Sequence, residues 1–180
     1  MLNDKDSKIR CGVINQFYNI IIAIDKEFFL EIREELKNRL LTLLNDESPL
    51  VRVEAIDGIF NIDTRAYDHE LSEDKSKFLE DVIPLLIETS YELLDTKGTQ
   101  FSAAYSLREA AFWYLEVKGD YEKALRILSK LAKNNNKVIR EHAIYFAEDY
   151  IRVFNKDHEI LEKMDLILKE IAENSSDKTQ

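Results

Sequence analysis

The chain has 180 residues, 45% hydrophobic and 33% charged, enough for one domain with a real core. Its 25 basic and 35 acidic side chains give a formal charge of -10, which disfavours phosphate backbones and anionic membranes and favours solubility or a basic partner. With 4 Gly and 2 Pro there are too few breakers for the turns of a sandwich or barrel, and 1 cysteine, Cys11, excludes an intrachain disulfide and a cysteine metal cluster.

The opening MLNDKDSKIR lacks the basic-then-apolar pattern of a secretory signal. The longest aliphatic run, Ile20–Ile24, is far too short to span a bilayer. A soluble cytoplasmic protein is expected. Apolar residues at 9, 13, 17, 20 and 24 predict a first helix over Ser7–Ile24, and the leucines that follow predict a second over Phe28–Leu44. Pro49 sits where a first helical turn tolerates it, because its missing N–H would be unpaired there anyway. A third helix is expected from there to about Ile62. The polar segment Asp63–Lys77 reads as a long loop. Helices follow at Lys77–Leu94 and Thr99–Val117, with Pro84 either kinking the first or marking a late start. Tyr121–Lys133, Val138–Phe154 and Glu159–Glu173 complete the set, and 174–180 reads as a disordered tail on a single domain over 1–173. Alternation of period two never lasts, so the class is all-α.

Three helix starts share a pattern. They are DSKIRCGV (Asp6–Val13), SPLVRVEA (Ser48–Ala55) and NKVIREHA (Asn136–Ala143). Each places an arginine after an aliphatic residue and a small or β-branched apolar residue three further on. Arg10 and Arg52 are 42 residues apart, and Arg52 and Arg140 are 88 apart, twice 44. That period belongs to helical-pair repeats. N-cap candidates are Ser7, Asp46 or Ser48, and Asn136. The arginines either bond carbonyls or acids of an adjacent repeat or sit solvated in a first turn.

The stretch LLTLLNDESPLVRVEAIDGIF, Leu40–Phe60, resembles the HEAT-repeat (armadillo-like) family of α-solenoids, with Pro49, Val51, Arg52 and Ala55 at the family's positions. Arg10, Arg140 and Ala143 mark two further copies, both without the proline. Where a copy is expected after LLDTKGT, Phe101 stands in place of arginine. The stretch FWYLEVKGDYEKALRIL, Phe112–Leu128, resembles a tetratricopeptide unit instead. The resemblance implies a right-handed α-α superhelix, a HEAT-like solenoid of about seven to eight helices. It also implies a non-catalytic scaffold or adaptor that binds another protein. The small residues Ala55, Ala111 and Ala143 would let helices approach.

Catalytic relatives of that architecture set the alternatives. HEAT-like deoxyhypusine hydroxylases hold iron through repeated His-Glu pairs at helix starts. Here His69-Glu70 falls in the loop, His158-Glu159 at a turn, and the helix-start His142 has the order reversed, so no metal or other cofactor is expected. DNA alkylpurine glycosylases of HEAT-like fold need a basic groove with aromatics beside a carboxylate. Ala111–Glu116 supplies Phe112, Trp113 and Tyr114 near Glu109 and Glu116, although a helical aromatic cluster also suits a core. Phycobilin lyases form a third HEAT-like class, and no residue points to it. There is no Gly-rich phosphate loop and no nucleophile in a recognised context.

On the helix after Pro49, only Glu54, Asp57 and Asn61 form a polar stripe, at steps of three and four. Asn15, Gln16 and Asn19 are their counterparts on the first helix. Glu109, Glu116 and Trp113 belong to the aromatic helix, and Glu141, Tyr145, Glu148, Asp149 and Arg152 to the next. If these stripes line one concave face, it is acidic with a few aromatics, suited to a basic protein or peptide and not to nucleic acid. The first helix lacks a partner before it, so Ile14, Phe17 and Ile21 are expected to be partly uncovered, a place for a second copy in a homodimer. The final helix would cap the stack, with Ile160, Leu161, Met164, Leu168 and Ile171 on one side.

Overall fold

A computed structural model describes the backbone at residues 1–67, 75–153, 161–166 and 168–169. The expected tail at 174–180, His69, His158 and the side chain of Arg152 lie outside the described residues. The fold is all-α. It contains α1 (Ser7–Ala23), α2 (Lys26–Thr42), a 3-10 turn (Leu43–Asn45), α3 (Pro49–Tyr67), α4 (Lys75–Glu80) and α5 (Ile83–Leu93). After these come α6 (Gln100–Trp113), a π turn (Tyr114–Lys118), α7 (Tyr121–Ala132) and α8 (Lys137–Val153), then a short helical piece at 161–166. No helix among the described residues is long and apolar enough to cross a membrane. The chain divides into two compact units, Met1–Ser106 and Leu107–Gln180, the division falling inside α6.

Helix ends follow local chemistry. Asp25 caps α2 by accepting the Phe28 N–H at 2.9 Å, which starts the helix at Lys26 rather than at Phe28. Glu27 in the first turn of α2 and Arg39 near its last complement the helix dipole. The helix expected over Lys77–Leu94 is two helices. Pro84 has no N–H to offer the preceding turn, so α5 begins with it in the first turn and Asp81–Val82 separates it from α4. α3 runs past Ile62 to Tyr67, because Asp63–Tyr67 contains neither Gly nor Pro to stop it.

In the first unit α3 is the hub. It packs on α1, α2, the 3-10 turn, α4 and α5. Val51, Val53, Ala55, Ile56, Ile59 and Ile62 on it are fully buried, and each valine or isoleucine so placed stabilises the fold by about 1.5–3 kcal/mol over exposure. A Cβ on Gly58 would meet Leu40 Cδ1 at 2.9 Å and Ile14 Cγ2 at 3.3 Å, so glycine is what lets α1 and α2 close on α3 there. Ile14 and Ile21 are not uncovered, being 2% and 1% exposed, since α1 lays that side onto α3. Phe17 is half-buried, and it is Ile9 and Ile20 that α1 leaves exposed. Cys11 is buried, as a small apolar thiol on this helix should be, and burial pushes its pKa up.

The second unit gathers the end of α6, the π turn, α7 and α8. Phe146 is its anchor, stacked over Tyr150 and 4.3 Å from the Phe112 ring. Ala124, Ile127, Leu128 and Leu131 present the apolar side of α7, and Ala143 and Ala147 keep α8 close to its neighbours. The expected helix Thr99–Val117 is α-helical only to Trp113. It then widens into the π turn and leaves through Gly119, whose φ of +62° favours glycine. The Asp120 N–H donates back to the Tyr114 carbonyl at 2.8 Å, closing the widened turn.

The three arginine segments begin with one turn built the same way. Oδ1 of Asp4, Asp46 and Asn134 accepts the N–H two residues on, at 2.9, 2.8 and 2.8 Å. Six residues after each stands an arginine. Arg10 Nη1 donates to the carbonyls of Asp4 and Lys5 (2.6 and 3.2 Å), and Arg140 Nη1 to those of Asn134 and Asn135 (both 2.9 Å). Arg10 also reaches into the next turn, its Nη2 donating to Asp46 Oδ1 at 2.7 Å. Arg52 turns instead to Glu92, with Nη1 3.5 Å from the carboxylate. The cap of α1 is Asp6, not Ser7, its Oδ1 accepting the Lys8 N–H at 2.8 Å, and Asn136 caps α8 in the same manner at 3.0 Å from Val138 N.

Candidate functional site

The residues expected on the α3 stripe do come together. Glu54, Asp57 and Asn61, with Asn15 from α1, surround a recess of about 230 Å³ whose floor is Gly58 and whose apolar wall is Ile14. The close approach that Gly58 permits is what brings Asn15 beside Glu54. Each carboxylate is steadied by a neighbour. Asn15 hydrogen-bonds Glu54, and Ser106 Oγ lies 2.7 Å from Asp57 Oδ1. The Ser106 hydroxyl also approaches the Ser102 carbonyl at 2.9 Å, so one proton serves both. Burial raises the Glu54 carboxyl above its ordinary value, and the Asn15 bond offsets only part of that. Gln16 and Asn19 lie outside the recess, exposed and bonded to each other at 3.3 Å.

In the second unit the expected residues divide. Tyr145 is half-exposed at 50%, Glu148 is exposed, and Glu141 is partly so, the three following one side of α8 at steps of four and three. Glu141 has Lys137 3.7 Å away, and Asp149 is half-buried. Glu109 is half-buried, 3.2 Å from Arg108 Nη2. Trp113 is a correction. It is 5% exposed, edge-on to Tyr114 at 5.3 Å, with Lys118 Nζ 5.6 Å from its ring. It serves the core and not the face, because α6 turns that side inward before the π turn. Glu116, on the π turn, is exposed.

The repeat-structural residues take packing roles. Val51, Ala55 and Ala143 are buried, Pro49 opens α3, and Arg10 and Arg140 are buried while Arg52 is half-exposed. Asp46 is held below the ordinary carboxylate range. Burial alone would raise it, but the Arg10 guanidinium and the Ser48 N–H together outweigh that. Two residues carry more than the sequence suggests. Ser106 orients Asp57 from 49 positions away, and no local pattern marks such a contact. His142 is buried edge-on to Tyr145, and its pKa falls to about 4, through burial first and the Arg108 charge second. No group of three or more His, Cys, Asp or Glu is placed to hold a metal ion among the described residues. Compared with protein-family models and with curated proteins, this chain matches none.

Proposed function

We propose that this chain is a non-catalytic HEAT-like scaffold, a right-handed α-α superhelix that binds a basic segment of another protein through the polar edge of α3. The observation that carries this reading is the acidic recess of Glu54, Asp57, Asn15 and Asn61 on an otherwise buried helix. α3 spends its apolar surface on packing, so its one polar edge is what remains for a partner. Half-buried carboxylates attract cations more strongly than exposed ones, because the surrounding medium screens less. The repeat architecture is supported by the shared turn at Asp4, Asp46 and Asn134 and by its arginine at a constant offset. Burial of Trp113 weighs against the glycosylase alternative, which needs an accessible aromatic beside a carboxylate in a basic groove.

The test is fluorescence anisotropy with a panel of labelled basic and acidic peptides against the full chain. Basic peptides should bind, and charge reversal by Glu54→Lys with Asp57→Lys should abolish their binding while the helical circular dichroism persists. Equal binding of the reversed variant, or preference for acidic peptides, would sink the reading.

A further inference from the structure

We propose that one flank of α1, the stripe of Ile9, Val13, Phe17, Ile20 and Ile24, binds a second copy of this chain, the two helices lying antiparallel. α1 uses another side for its own fold. Ile14 and Ile21 are buried there, and α3 is the main element it packs on. The neighbouring flank is apolar too, and it is open. Ile9 is 45% and Ile20 50% exposed, while Val13, Phe17 and Ile24 are half-buried. Steps of four, four, three and four keep these five on one stripe, which ends at the C-cap Ile24. A surface helix ordinarily carries charge away from its packed side. From Cys11 to Ile24 this one has no Asp, Glu, Lys, Arg or His, in a chain that is 33% charged.

Charge selects the occupant. Each copy carries a formal -10, so two copies repel across their charged surfaces. A flank without charge is where they can meet, whereas a basic or acidic partner finds nothing there to choose it. The spacing fits a second copy as well. A two-fold contact sets one patch against itself, so the patch must match its own reverse. Positions 9 and 24, 13 and 20, and 16 and 17 are each symmetric about a point between Gln16 and Phe17. In an antiparallel pair Val13 therefore faces Ile20 of the second copy and Ile9 faces its Ile24, with the helix dipoles opposed. Gln16 is polar at the centre but brings no charge, and its Oε1 accepts from Asn19 Nδ2 at 3.3 Å. The stripe is about 20 Å long and about 10 Å wide. That falls short of the roughly 800 Å² per partner of a stable interface, so the dimer is weak and forms at high concentration. Asn15, which lines the recess, is two positions from Val13 and so on the opposite side of α1, and pairing leaves the recess open.

Sedimentation velocity of the full chain tests this. Between about 1 μM and about 1 mM the weight-average mass should rise from monomer toward dimer. Raising sodium chloride from about 0.05 M to about 0.5 M should strengthen the dimer, because salt screens the repulsion between two acidic copies. Ile9→Glu and Ile20→Glu should each weaken it by about tenfold or more, since each buries two carboxylates in an apolar contact. Asn19→Glu adds the same charge away from the stripe and should leave the dimer nearly unchanged. All three positions are exposed, and circular dichroism checks that each variant keeps its helices. Orientation is read by crosslinking. Under mild oxidation, a Val13→Cys chain mixed with an Ile20→Cys chain should link faster than either chain alone, with the native chain and its buried Cys11 as the control. A monomer throughout the concentration range would overturn the second copy as occupant. A dimer untouched by Ile9→Glu and Ile20→Glu would overturn this flank. Faster linking of either cysteine variant with itself would overturn the antiparallel pairing.

Discussion

At the start of α1, Arg10 is buried, bonds two carbonyls of the turn before the helix, and reaches across to the carboxylate of Asp46. On the first turn of α3, Arg52 stands at the same offset, is half-buried, and has its Nη1 3.5 Å from the Glu92 carboxylate. Arg140, in the second unit, resembles Arg10 toward its own carbonyls. The difference shows that the turn specifies where the arginine starts, and the neighbouring turn decides what it is worth. A guanidinium that bonds the carbonyls of its own turn is buried, as at Arg10 and Arg140, and a carboxylate in the next turn gives Arg10 a counterion as well. Arg52 turns to Glu92 instead and is left partly exposed.

The comparison breaks or sharpens in order of expected effect. Arg10→Met should be the costliest of the arginine replacements, about 3–5 kcal/mol, because it leaves Asp46 as a buried charge that has lost its counterion. Urea unfolding measures it, and a loss no greater than that of Arg52→Ala would erase the distinction. Acid should separate the two units. His142 has a folded pKa of about 4 against an ordinary 6.5, so only the unfolded chain takes up its proton as pH falls between those values. Stability is therefore complete above 6.5 and is lost down through 4, by on the order of 3 kcal/mol.

Asp46 is depressed, so its contribution is present above the ordinary carboxylate value and disappears only below it, at lower pH than that of His142. Trp113 is the chain's one tryptophan and lies in the second unit, so its fluorescence should report weakening there first. His142→Phe should flatten that early loss.

Arg140→Met should cost about 0.5–1.5 kcal/mol, since it removes two hydrogen bonds to carbonyls that water can still reach, without stranding a charge. Arg52→Ala should cost less than about 1 kcal/mol, as exposed pairs do. Smallest of all, Glu54→Gln should stabilise the fold slightly, within about 0.5 kcal/mol. The raised carboxyl makes the charged form a burden at neutral pH, and glutamine removes the charge while keeping an acceptor for Asn15. A gain in melting temperature combined with weaker peptide binding would mark Glu54 as a residue kept for binding. A loss of both would make it merely structural.

What was legible in the sequence was whatever depends on neighbours along the chain. The 3.6-residue period of α3 foretells both its burial and its polar edge, because helix geometry alone fixes which residues share a side. The common turn is legible for the same reason, as its bonds span at most six residues. Contacts across space were less so. Trp113 and Tyr145 are both aromatics on helices that also carry charged residues, yet one is packed and the other open, and only the neighbouring helices decide which. The π turn has no compositional mark apart from Gly119. Ile14 and Ile21 look uncovered when α1 is read as a first helix without a predecessor, whereas α3 covers them from a later part of the chain.

One oxygen joins two of these features. Asp46 Oδ1 accepts both the Ser48 N–H, at the start of α3, and Nη2 of Arg10, at the start of α1. The amide ahead of α3 and the guanidinium on α1 thus share an acceptor, and opening either turn weakens the other. In native-state hydrogen exchange the Ser48 amide and the first hydrogen-bonded amides of α1, those of Lys8, Ile9 and Arg10, should therefore open in one cooperative step, a single exchange unit assembled from segments some forty residues apart.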